Sequence, residues 1–113
     1  DDEYAFTGTV KGHRISISVI PEPLDQTIEE WIKASNYDFF DMDSIIEDIM
    51  VDDFPAKLDI LATGAMTFEN VYIPLGDGSG NMIMFSLYGP ETDFEKQRPL
   101  LNAFLETLHV VTL

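Results

Sequence analysis

The run Met82 to Tyr88 is apolar at odd and even positions alike, interrupted only by Ser86. Side chains of a strand point alternately to opposite faces, so a strand with one wetted face alternates apolar with polar. One that does not alternate is covered on both faces and lies centrally in its sheet. Immediately before it, Gly76-Asp77-Gly78-Ser79-Gly80-Asn81 places three glycines in six residues, the composition of a hairpin turn. A sheet covered on two faces needs helices on each side. The expected fold is therefore α+β: an antiparallel β-sheet of about 5–6 strands with helices packed on both faces, an α/β/α sandwich. A chain of 113 residues holds one such domain, spanning 1–113.

The remaining strands follow from the same periodicity. Tyr4 to Val10 and Arg14 to Ile20 form a pair joined at Lys11-Gly12-His13, with Ile15, Ile17 and Val19 alternating with Ser16 and Ser18. Ile45 to Val51 and Ala56 to Ala62 form a second pair across Asp52-Asp53-Phe54-Pro55, although Ile45 and Ile46 also suit a short helix. Phe68 to Leu75 then leads into the glycine-rich hairpin.

Two segments have helical spacing. Leu24, Ile28, Trp31 and Ile32 form a stripe over about Asp25 to Ala34, with Asp25 as the cap and Glu29 and Glu30 early, where the helix dipole favours anions. Trp31 suits either a core anchor or a binding groove. In the second helix, Thr92-x-x-Glu95 matches a capping box. Pro99 costs a mid-helix hydrogen bond, so a turn is expected at Asp93 to Arg98 and the main helix from near Pro99. His109 to Leu113 either adds a short strand or trails off.

Charge decides which partners are compatible. Asp and Glu number 21 against six Lys and Arg, a net charge of −15. Such a surface repels phosphate backbones and anionic lipid heads, which argues against nucleic acid and leaves a protein partner with a basic surface, cations, or no charged ligand at all; high acidity also keeps a protein soluble. No apolar stretch approaches the roughly 20 residues of a membrane helix, so no direct membrane insertion is expected. The opening Asp1-Asp2-Glu3, without an initiator Met, suggests a processed chain.

No residue pattern specifies chemistry. Ser16 and Ser18 lie within a strand, not on a nucleophile elbow. His13 sits at a turn between Lys11 and Arg14, and the glycine cluster lacks the Lys-Ser/Thr ending of a phosphate loop. Asp77, Ser79 and Asn81 have the spacing of the first calcium-loop ligands, but Met82 and Tyr88 stand where the loop needs Gly and Glu. With two histidines and no cysteine, a zinc set is not expected either. The expectation is no catalytic residue, no metal and no cofactor.

The order of elements resembles the PsbP/Mog1-like superfamily. The resemblance is carried by the helix Leu24-Asp25-Gln26-Thr27-Ile28-Glu29-Glu30-Trp31 after an early strand pair, the corner Val51-Asp52-Asp53-Phe54-Pro55-Ala56, and the closing helix Leu100-Leu101-Asn102-Ala103-Phe104-Leu105. It implies an α/β/α sandwich and a role among accessory, lipoprotein-like or regulator-binding domains, mainly non-enzymatic. The resulting expectation is a non-catalytic accessory or protein-binding domain of an extracytoplasmic protein. The alternatives are a structural domain of a larger surface or secreted protein, and a small hydrolase. The segment Asn36 to Asp43 reads as a polar-aromatic connection. Tyr37, Phe39 and Phe40, flanked by Asp38 and Asp41, combine aromatic anchors with steering charge and are the expected partner-binding residues. Against this stands the reading that these rings cap the protein's own core.

Overall fold

Strand alternation and two amphipathic stripes produce eight elements in the computed structural model, which describes residues 5–10, 13–40, 45–62, 67–76, 78–89 and 94–109. They are β1 (Ala5–Val10), β2 (His13–Pro21), α1 (Ile28–Phe40), β3 (Ile45–Val51), β4 (Phe54–Ala62), β5 (Thr67–Pro74), β6 (Asn81–Gly89) and α2 (Phe94–Thr107). The strands form one antiparallel sheet in the order β1-β2-β6-β5-β4-β3. The two-sided apolar run is thus β6, held centrally between β2 and β5.

The α/β/α sandwich expectation is corrected by this architecture. The molecule is a single antiparallel sheet with only two helices, each over part of the sheet, and not a sheet enclosed between helical layers. The reason is dimensional. Six strands about 4.8 Å apart span about 24 Å, whereas a helix with its side chains is about 10 Å across. One helix of 13 residues and one of 14 cannot tile two such faces. α1 meets the sheet chiefly at β4 and α2 chiefly at β5. The two-sided burial of β6 required cover over the middle of the sheet, not over its edges. Toward the β3 edge, Ile45 is 52% and Met50 63% exposed.

The core divides by strand parity. Leu58, Ile60, Val71, Ile73, Phe85 and Leu87 gather with Leu101 of α2. The intervening positions Tyr72 and Met82 gather with Ile32 of α1, and Trp31 meets Tyr72 edge-on at 5.5 Å. Trp31 therefore packs within the protein's own core.

Three local features differ from the sequence expectation. α1 is capped by Thr27, not Asp25: the Glu30 N–H donates to Thr27 Oγ1 at 3.1 Å and the Thr27 N–H to Glu30 Oε1 at 3.0 Å. This reciprocal pair satisfies two otherwise orphaned donors, and Leu24 is left 94% exposed outside the helix. Thr27→Ala should lower stability by about 1 kcal/mol, measurable by chemical denaturation. An unchanged midpoint would show that the cap contributes nothing.

The β3–β4 turn is shorter than the four residues expected. Asp52 and Asp53 have φ of 48° and 67°, the left-handed pair of a two-residue hairpin, so Phe54 and Pro55 already belong to β4. Pro55 is tolerated there because β4 pairs with β5 only from Lys57 onward. Extended two residues past its last pair, the same register would set Pro55 against Pro74, and neither has an N–H to continue the ladder.

α2 runs unbroken from Phe94 through Pro99, where a turn was expected. Its first turn is anchored by buried Gln97, which donates to Glu69, while Pro99 forgoes its own helix hydrogen bond. Thr92 and residues 110–113 lie outside the described residues, and with them the second capping box and the possible last strand.

Candidate functional site

Each helix is tied to the sheet by an amide on a buried carboxylate. On β4, Asp59 is 0% exposed, between apolar Leu58 and Ile60. Asn36 of α1 donates from Nδ2 to Asp59 Oδ1 at 2.9 Å and Oδ2 at 3.0 Å. Asn70 donates to Oδ2 at 3.5 Å, and Ser86 Oγ donates to Asn70 Oδ1 at 2.7 Å. The register builds this chain, because Asp59 faces Asn70 and Asn70 faces Ser86 on successive strands. Burial raises the Asp59 pKa above the ordinary carboxylate value, while the amide donors pull it back in part.

The second tie joins β5 to α2. Glu69 is also 0% exposed, and Gln97 donates from Nε2 to its Oε1 at 2.9 Å. The same amide nitrogen lies 3.4 Å from the Leu87 carbonyl and 3.5 Å from that of Thr67. Burial raises the Glu69 pKa; Gln97 and, less strongly, the Arg98 charge oppose the shift. Among the described residues, Glu69 Oε2, Gln97 Oε1 and Thr67 Oγ1 are buried without a hydrogen-bond partner. A proton on Glu69 Oε2 would supply a donor among these acceptors. Chemically, both carboxyls can exchange a proton. Having no exposed surface, neither can meet a substrate.

The open geometry lies instead along β3. One groove of about 390 Å³ is lined mainly by Ile28, Met50, Pro55, Ala56, Lys57 and Pro74. It opens past the last β4–β5 pair, Lys57 with Tyr72. A second groove, of about 340 Å³, lies against α2 and is lined by Asp52, Leu58, Arg98, Asn102, Leu105 and Glu106, among others. Ile49 and Met50 border both grooves. Charges around them are partly compensated: Lys57 bridges Asp48 and Glu29, and Arg98 donates to Glu47 Oε2 at 2.8 Å.

The expected partner-binding segment is not a connection; its first part extends α1. Helical spacing carries the stripe from Ile28 and Ile32 to Asn36, whose burial on Asp59 extends the helix past Ala34. Tyr37 is 63% exposed on α1. Asp38, Phe39 and Phe40 continue the helix, whereas Asp41 lies outside the described residues, as does Asp77 of the glycine-rich turn. Among the described residues no group of three or more His, Cys, Asp or Glu side chains is arranged to hold a metal ion, and no helix is long and apolar enough to cross a membrane.

No family model matches this chain, and no curated relative matches it. Its fold is similar to a crystal structure of PA94 from Pseudomonas aeruginosa, a protein of unknown function described as a candidate regulator. The TM-score is 0.64 over 99% of this chain and 85% of that one, at 14% sequence identity. Identity at that level speaks to fold alone.

Proposed function

We propose that this chain is a non-catalytic, protein-binding domain of an extracytoplasmic protein, and that its partner presents a basic surface. The observation that carries the binding role is the placement of exposed apolar side chains. Of the four large hydrophobic residues most exposed among the described residues, Ile45 and Met50 sit on a single edge strand, and Met50 borders both grooves. The two carboxyls with raised pKa are sealed against amides, which supports a structural role for them and weighs against catalysis. The charge of −15 favours a cationic partner and speeds its encounter. The extracytoplasmic placement rests on the PsbP/Mog1-like resemblance.

Affinity capture from the source organism's extract tests this reading with three baits: wild type, the triple variant Tyr37→Ala, Asp38→Ala, Asp41→Ala, and the pair Ile45→Ser, Met50→Ser. The expected result is a partner held by wild type, released by moderate salt, and lost with one of the two variant baits. Reproducible capture of nothing would overturn the proposal in favour of a structural domain, whereas equal capture by all three baits would remove both surfaces from consideration.

A further inference from the structure

The geometry points to strand addition at the β3 edge: an extended segment of a partner protein, alternating apolar with basic residues, pairs with Ile45–Val51 and continues the sheet. This inference rests on the protein-binding reading and specifies its mode. β3 ends the strand order, so one side of its backbone has no strand neighbour among the described residues. Exposed edges of this kind accept an added strand, whose main-chain hydrogen bonds give affinity while pockets for alternate side chains give specificity.

Here the pockets are present on both sides of the sheet. The groove beside α1 contains Ile28, and the one against α2 contains Leu105 and Glu106; Ile49 and Met50 belong to both. A strand laid along this edge sends successive side chains to opposite faces, and hence toward the two grooves in turn. Their chemistry differs. On the α1 side, Ile28, Met50, Pro55, Ala56 and Pro74 offer an apolar seat. On the α2 side, Glu106 and Asp52, the latter 3.6 Å from His109 Nδ1, line a groove whose one guanidinium, Arg98, is engaged by Glu47. That seat suits Lys or Arg.

Charge also selects against a second copy of this chain. β3 carries Glu47 and Asp48 at its centre and runs into Asp52 and Asp53. An antiparallel pairing of two β3 strands about their midpoints sets Asp48 against its own copy, a like-charge pairing that protects the edge. A basic strand meets no such repulsion at Asp48, although Lys57 and Arg98 already engage Asp48 and Glu47.

The test uses the full chain and a fluorescent, acetylated and amidated (Lys-Val)4 peptide, followed by anisotropy at low and moderate salt. Binding should be at least tenfold tighter than for (Glu-Val)4 or (Lys-Ser)4. Methylating alternate backbone nitrogens of the Lys-Val peptide should weaken it at least fivefold, since it removes the ladder donors and keeps every charge. Met50→Lys, at a side chain already mostly exposed, should weaken it similarly while leaving the unfolding midpoint nearly unchanged. Amide exchange should slow in β3 on peptide binding.

Equal affinity for the methylated peptide would reduce the attraction to charge alone and overturn strand addition. Protection confined to the Tyr37 end of α1 would overturn the β3 site yet leave the protein-binding reading standing. No binding of the Lys-Val peptide, with a partner still captured from extract, would have the same consequence. Concentration-dependent dimerisation abolished by Met50→Lys would make a second copy the occupant and overturn the basic-strand claim.

Discussion

Asp59→Ala is expected to lower the unfolding free energy by about 3 kcal/mol, several times the effect of removing the Thr27 cap. Truncation leaves the Asn36 amide, which donates twice to Asp59, without its acceptor in a buried position, and removes the weaker acceptor of Asn70. Each buried donor left unsatisfied costs about 1–3 kcal/mol, and the small cavity adds to this. Removing a buried carboxylate returns part of the loss, because burial of that group is itself unfavourable. Asp59→Asn keeps shape and an acceptor oxygen and should cost about 1 kcal/mol or less. Urea denaturation followed by Trp31 emission suits the experiment, since Trp31 packs on Tyr72 in the α1 cluster. A loss under about 1 kcal/mol for the alanine variant would show that the amide chain does not tie α1 to the sheet.

These ties mark where the sequence was legible and where it was not. Strand order around β6 follows from one local property, the absence of alternation in Met82 to Tyr88, and β6 does lie between two neighbours. Local period says nothing about the area a helix must cover, which is why the sandwich did not follow. The length of α1 was hidden because Asn36 occupies a stripe position with a polar side chain. Its partner Asp59 is 23 residues away and identifiable only once β4 lies beneath the helix. Asp59 did leave a signal: a carboxylate between Leu58 and Ile60, in a strand otherwise rich in buried residues. Glu69 left a fainter one, and Gln97 none, since nothing local separates a buried glutamine from an exposed one. The groove beside α1 is lined by Pro55 and Pro74, just past the last β4–β5 pair at Lys57 and Tyr72, a consequence of register that single-strand patterns do not contain.

Glu69→Gln should stabilise the protein at pH 8 by about 1–2 kcal/mol, the low end of what replacing buried ionic groups by neutral residues of similar volume returns. Because burial raises the carboxyl's pKa in the folded state, the folded protein binds this proton more tightly than the unfolded chain does. The stability it contributes is fully present below the unfolded value, near 4.5, and is lost as pH rises through the raised folded value. Asp59 titrates in the same direction and steepens the decline. Wild type and Glu69→Gln should therefore be nearly equal in stability at pH 4 and diverge steadily toward pH 8. The substitution also lowers a net charge of −15 by one, which relieves repulsion wherever it is made. Glu106→Gln, at an exposed position on α2, removes the same charge without any burial and serves as the control. Denaturation curves at half-unit pH steps decide the matter. If the Glu69 and Glu106 variants track each other across the range, the buried carboxyl carries no linkage to folding. If Glu69→Gln alone flattens the decline, α2 is held to the sheet by a proton that the protein gives up as pH rises.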